Sequence, residues 1–181
     1  MHIQTHVLSG WCLSNYLNVG PRERLFCMIA ASFPDLDGLS MLAGREAYWT
    51  YHHVIGHNAL VGLAVAALLA GFSPHRLRSF LAYVGLFHLH LLMDCFGSGP
   101  GWEIAYGWPL SSWTIESHAA WEFYSWQNIS VGLCFVVWTV VIACRQRRTP
   151  LEVLMPSLDR QLVALAARLA DFSRQGGKAR R

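Results

Sequence analysis

Apolar positions along this chain gather into long runs broken by short polar segments. Three runs, Ile55 to Phe72, Phe80 to Phe96 and Ile129 to Cys144, are apolar enough to cross a bilayer, which takes about 20 residues of helix, range about 17 to 25. They lie at the short end of that range, so their ends extend into neighbouring residues. Two shorter apolar segments, His6 to Val19 and Leu25 to Phe33, are closed by Pro21 and Pro34 and predict a helical hairpin packed within the bundle. The stretch from Leu151 to Arg181 is different in kind. Leu158, Leu162, Leu165 and Leu169 recur at helical spacing against Arg160, Arg168 and Asp171, the pattern of an amphipathic helix lying on a membrane surface or packed weakly on the bundle. The closing RQGGKARR reads as disordered. The predicted fold is all-α: a polytopic membrane helical bundle of three long spans plus a shorter N-terminal helical hairpin. Residues 1–150 form one membrane-embedded domain and residues 151–181 an amphipathic, partly disordered tail.

Composition agrees with a membrane protein. The chain has 181 residues, 54% hydrophobic and 14% charged, with mean hydropathy +0.30, where soluble domains carry about 25% charged residues. That length suits one domain. A net charge of +3, with arginines in short clusters and no basic face interleaved with aromatics, speaks against a nucleic-acid partner. The five cysteines form no C-x-x-C pair and read as small buried hydrophobes. The first twenty residues lack Lys and Arg, so the basic start of a cleaved signal peptide is missing and the N-terminus is expected in the mature fold.

Charge also orders the loops. Arginines cluster at Arg22 and Arg24, at Arg76 and Arg78, and at Arg145, Arg147 and Arg148, whereas Gly97 to Gln127 contains no Lys or Arg. The positive-inside rule makes the arginine loops and the C-terminus cytoplasmic and puts the long connection outside. That connection carries Trp102, Tyr106, Trp108, Trp113, Trp121, Tyr124 and Trp126, as a belt at a membrane surface does. A multi-pass protein of the cell (inner) membrane is expected.

The polar residues inside the apolar runs carry the chemistry. His90 and Asp94 are four apart, so on a helix they share one face. A carboxylate in an apolar run costs on the order of 3 kcal/mol on insertion scales and is usually paired or functional. No Lys or Arg lies in the predicted spans to pair it, which leaves a metal ion or a bound proton. His118 and Glu122 repeat the spacing of His90 and Asp94; FPDLDG supplies Asp35 and Asp37; YHHVIGHN supplies His52, His53 and His57; His6 adds another imidazole. Under the orientation above these groups meet on the outer side. His88 points away from His90 and reads equally well as an interhelical hydrogen-bond donor; His75 reads as solvated and His2 as without a role. The candidate metal ligands are His6, Asp35, Asp37, His52, His57, His90, Asp94, His118 and Glu122, with Asp35, Asp37 and Glu122 also the candidate catalytic carboxylates. Imidazole and carboxylate donors without thiolates suit zinc first, then manganese or iron. So many donors exceed one tetrahedral site, and more than one ion is expected.

The order His6, FPDLDG, HHVIGH, HLHLLMD and GWPLS resembles the YdjM-like membrane-bound metal-dependent hydrolases, over about residues 6 to 125. Their pattern is an N-terminal His, P-D-x-D, H-R-G-x-x-H-S, S-H-x-x-x-D and a W/L-P-F-S stretch. The resemblance implies that His52 and His57 are the family's paired histidines and that His90 and Asp94 are its H-x-x-x-D. His53 and Val54 stand in place of Arg-Gly, Asn58 in place of Ser, and Leu89 in place of the residue before the motif His, changes that bear on substrate contacts more than on metal binding. A more distant likeness, to zinc-dependent phospholipase C, rests on an H-x-x-x-D pair followed by an H-x-x-x-E pair, matched by His90/Asp94 and His118/Glu122. The phospholipases place a further histidine soon after the first pair, and none occurs between Asp94 and His118.

The expected function is hydrolysis. Paired ions lower the pKa of a shared water and stabilise both the attacking and leaving oxygens at phosphorus, with Asp35 or Asp37 bridging. A site at the outer interface implies an amphipathic substrate with a polar ester, such as a phospholipid or lipid-linked phosphate. Two alternatives stand beside it: a metal or proton transporter, which needs liganding groups at several depths, and a non-catalytic scaffold with a structural metal. Serine-nucleophile and P-loop motifs are absent.

Overall fold

The computed structural model describes the backbone of residues 1–178 and the side chains of residues 1–168. All the regular elements among the described residues are helices, without strands. An N-terminal hairpin pairs α1 (Ile3–Ser14) with α2 (Pro21–Ser32), as the two short apolar segments predict. Pro21 opens α2, where its missing N–H costs nothing, and the Glu23 carboxylate accepts from the Gly20 N–H at 3.3 Å. The hairpin closes tightly at Gly10, where a Cβ would stand 2.6 Å from the Cys27 carbonyl oxygen. Pro34 ends α2, and the chain turns by 57° into a 3₁₀ helix, Pro34–Ala43.

A short α3 (Arg45–Tyr51) leads to a polar turn and then to α4 (Ala59–Gly71), α5 (Arg76–Gly97) and α6 (Trp126–Gln146). The apolar run from Ile55 does not become a long span. Asn58 caps α4, its Oδ1 accepting from the Val61 N–H at 2.9 Å while its amide donates to the Val54 and Ile55 carbonyls. Helix therefore starts only at Ala59 and has 13 residues, about 20 Å at 1.5 Å per residue, against a hydrocarbon core of about 30 Å. Helices α5 and α6, of 22 and 21 residues, are long and apolar enough to cross, and α2 with the 3₁₀ helix makes a third crossing if the bent pair is one broken span.

Helices α2, α4 and α5 enclose the main core, built from Cys27 and Ala30 on α2, Val65 and Ala66 on α4, and Tyr83 and Leu86 on α5. Gly62 lets α4 approach the Phe87 ring, which a Cβ would meet at 2.8 Å. A second cluster, Trp11, Cys12 and Ile142, fastens α1 to α6. The opposite face of α6 leaves Ile129, Leu133, Val137 and Val140 exposed, as a lipid-facing helix does. Cys134 is exposed on α6, so the reading of the cysteines as buried hydrophobes holds for Cys12 and Cys27 but not for it.

The starts of α2 and α5 and the end of α6 carry the arginine clusters. Arg24 is not a loop charge: it is buried and donates from Nε and Nη2 to the two carboxylate oxygens of Glu152 at 2.6 and 2.7 Å. Asp159 accepts from the Thr149 N–H and hydroxyl at 2.7 and 2.8 Å, at the start of α7 (Pro156–Lys178). Part of the closing segment expected to be disordered is thus helical; residues 179–181 lie outside the described residues. At the other end, the connection from Ser98 to Ser125 is irregular, with one bridge between Ile104 and Ile115. It folds over the polar turn, the Ala105 N–H donating to the His53 carbonyl at 2.9 Å and the Ala59 N–H to that of Tyr106 at 3.0 Å.

Candidate metal centre

Four segments bring histidines and aspartates to one buried point: α1 supplies His6, the 3₁₀ helix Asp35 and Asp37, the polar turn His52, His53 and His57, and α5 His90 and Asp94. Asp94 is the hub. Its Oδ1 lies 3.1 Å from His6 Nε2, and its Oδ2 lies 3.1 Å from His90 Nε2, 3.3 Å from His57 Nε2 and 3.7 Å from His53 Nε2. The Met1 amino group donates to Asp94 Oδ1 and, at 3.1 Å, to Ser98 Oγ. His90 Nε2 also stands 3.8 Å from Asp35 Oδ1, and the His6 and His90 rings stack at 3.7 Å.

Neighbouring acceptors fix which nitrogens are free. His90 Nδ1 faces the Ala31 carbonyl at 2.7 Å and His57 Nδ1 faces Asp37 Oδ2 at 2.8 Å; each can only donate there, which puts a proton on Nδ1 and turns Nε2 inward, a lone pair whenever the ring is neutral. The two Nε2 atoms are 3.2 Å apart. With His57 neutral, two lone pairs and Asp94 Oδ2 converge while the Met1 ammonium holds Oδ1, an arrangement that suits a cation between them. A proton on His57 Nε2, donated to Asp94, fills the same place, so a metal ion and that proton compete for it.

Several buried polar atoms make no hydrogen bond among the described residues: both His53 nitrogens, His6 Nδ1 and Asp35 Oδ2. Burial pushes the His53 imidazole well below its usual range, so it is neutral and able to ligate. This donor set fits a borderline divalent ion such as zinc. Asp37 is different. Its carboxylate accepts from His52 Nδ1 at 2.5 Å, His57 Nδ1 at 2.8 Å and the Gly56 N–H at 2.9 Å, the hold of a group that orients histidines. The three donor sets, His6/Asp35/His90/Asp94, Asp37/His52/His57 and His53/His57/Asp94, overlap at Asp94 and His57.

Seven of the nine sequence-predicted ligands meet here. His118 and Glu122 do not join any of these sets among the described residues. Residues 118–122 form turns and extended chain instead of helix, and both side chains are exposed, so a spacing of four no longer means a shared face. Glu122 borders a cavity with Trp49, Ser98 and Trp102. His53, absent from the predicted ligands because it occupies the position of the family's arginine, lies inside the cluster in the left-handed region with φ 69° and stacks on Trp102 at 5.0 Å. The His52-His53 doublet beside His57 was the available signal. His88 instead bonds the Val84 carbonyl of its own helix at 2.8 Å and the Tyr106 hydroxyl at 2.9 Å, which ties α5 to the irregular connection and not, as the interhelical reading expects, to another helix.

A family model described as YdjM inner membrane protein matches residues 1–169. The chain belongs to the YdjM inner membrane protein family. The match takes in the whole cluster from His6 to Asp94 and reaches into α7. No curated protein and no solved structure matches the chain. Membership in the YdjM family agrees with the exposed apolar face of α6 and with the two helices long enough to cross a membrane. The second H-x-x-x-E half of the phospholipase C likeness has no counterpart in the cluster.

Proposed function

We propose that this YdjM-family protein is an integral-membrane metal-dependent hydrolase acting on a phosphoester of a lipid or lipid-linked substrate at the outer membrane interface. The observation that carries this reading is the convergence of His57 Nε2 and His90 Nε2, 3.2 Å apart, on Asp94 Oδ2. His6, His53, His57, His90, Asp35 and Asp94 would hold the ion or ions, zinc before manganese or iron. A divalent ion there would polarise a phosphoryl oxygen and lower the pKa of a water. Asp37 orients His52 and His57. Asp35, half-buried with Oδ2 unpartnered, would take the proton of an attacking water. The exposed Trp49, Tyr124 and Trp126 at this end suit an amphipathic substrate arriving from the bilayer surface.

A structural metal is the reading with its own support, because ligands from four segments would cross-link short helices around a buried point. A transporter is less well served: the donors gather at one end of the helices, and His88 is committed to Val84 and Tyr106. The test is metal analysis of protein purified in detergent, joined to hydrolysis of a phospholipid panel before and after chelation and metal restoration. Metal-dependent release of a phosphorylated or dephosphorylated headgroup supports the hydrolase; stoichiometric metal, loss of folding on chelation and no turnover would assign the site to structure.

A further inference from the structure

The fourteen Lys and Arg residues of this chain are unevenly placed. Arg45 is the sole one between Arg24 and Arg76, and none falls between Arg78 and Arg145. Every other basic residue belongs to the arginine end or to the sequence after α6, so one guanidinium stands at the end that holds the metal centre. It has no carboxylate within ion-pair distance among the described residues, whose ion pairs gather on Asp94, Asp37, Asp35 and Glu152. Arg45 instead lines a cavity of about 480 Å³ together with His52, Ser98, Tyr48, Trp49 and Trp102.

Two of those walls belong to the centre. His52 donates to Asp37, which holds His57, and Ser98 lies one turn beyond Asp94, its N–H donating to the Asp94 carbonyl at 3.2 Å. The cavity therefore borders the metal centre and forms the mouth through which a ligand would reach it; Met1, whose amino group holds Asp94, lines it too. A second cavity of about 540 Å³ continues it past Trp49, Trp102 and Tyr124.

We infer that Arg45 forms a phosphate-binding subsite at this mouth, holding the phosphate group of an amphipathic substrate against the metal centre while the aromatic walls take the less polar part of the molecule. The inference deepens the phosphoester reading and rests on it for the identity of the anion. Asp35, Asp37 and Asp94 would offset much of the charge of an ion held here, so a cation outside the cluster adds to the hold on an anion. A guanidinium supplies that charge and a planar pair of N–H donors that matches two phosphate oxygens. An aromatic-walled pocket sheds water more readily than open surface, which strengthens such a contact. A lipid phosphate would touch both Arg45 and the aromatic walls, whereas a free phosphate would use the arginine alone.

The test is equilibrium binding of inorganic phosphate, glycerol 3-phosphate and dihexanoyl phosphatidic acid to the zinc-loaded full chain in detergent. Arg45→Ala should weaken dihexanoyl phosphatidic acid about tenfold or more, as loss of a charge-assisted bidentate contact does, and Arg45→Lys less, with zinc content and helical circular dichroism unchanged. Arg160→Ala, which removes a charge on α7, should bind as the parent protein does. Much tighter binding of the lipid than of the two soluble phosphates assigns the subsite to a lipid headgroup; equal, Arg45-dependent binding of all three assigns it to a free phosphate group. Arg45-dependent binding without turnover keeps the subsite and sinks the hydrolase reading. Unchanged phosphatidic acid binding by Arg45→Ala would overturn the subsite, whatever the protein hydrolyses.

Discussion

His57 and His90 face each other with their Nε2 atoms 3.2 Å apart, each turned inward by an acceptor behind its Nδ1. Neither nitrogen has a protein donor to meet, and Asp94 adds a carboxylate to the same point. The relationship comes from two remote pieces of backbone. The Ala31 carbonyl sits near the end of α2 and Asp37 in the 3₁₀ helix after Pro34, so the bend at that proline sets the tautomers of both histidines.

Asp37 should act by orientation. Asp37→Asn keeps the shape of the side chain, but its amide cannot accept from His52, His57 and the Gly56 N–H together. Zinc affinity, measured by competition with a chromophoric chelator, should fall about 10- to 100-fold. Loss as complete as in His57→Ala would instead make Asp37 a direct ligand.

Gly56 should tolerate no side chain. A Cβ there would stand 2.3 Å from the Pro34 carbonyl oxygen and 3.1 Å from Asp37 Oδ2, so Gly56→Ala must shift either the bend or the carboxylate. A loss of about 1 to 3 kcal/mol is expected, read as a lower thermal midpoint in detergent, together with weaker metal retention. An unchanged midpoint and full metal would contradict the packing of the polar turn on Pro34.

His118→Ala and Glu122→Ala should leave zinc content at the parent value, because both side chains are exposed on non-helical chain. Elemental analysis of the purified variants checks this. A metal-depleted His118→Ala would restore the residue to the ligand set.

The legible parts of the sequence were those governed by local rules. Long apolar runs marked the helices, Pro21 and Pro34 marked their breaks, and the spacing of His90 and Asp94 meant a shared face because that segment is helical. The same spacing misled at His118 and Glu122, where no apolar stripe carries a helix. The late start of α4 was hidden because Ile55 is as apolar as the helix that follows, while the cap that decides the boundary belongs to Asn58. The burial of Arg24 was hidden for another reason: its partner, Glu152, lies far along the chain. Distant pairing of this kind leaves no periodic signal.

The proposed orientation puts the irregular connection outside and the arginine end in the cytoplasm. Exposed positions suit the test: Ser112→Cys on the connection and His75→Cys at the start of α5, each in a background with Cys134 replaced. An impermeant thiol reagent applied to intact spheroplasts should label the first and spare the second. The reverse pattern would invert the protein.

The most direct measurement of the central claim is the metal content of the purified full chain and of three variants, at neutral and at mildly acidic pH. The parent protein should carry a stoichiometric ion, zinc before manganese or iron, and release it as the pH falls, since protons compete for the same nitrogens and carboxylates. His90→Ala and Asp94→Ala should each empty the site, whereas His88→Ala, which removes a tie to Tyr106, should keep the metal. A folded parent protein without stoichiometric metal, or full occupancy in Asp94→Ala, would contradict the account.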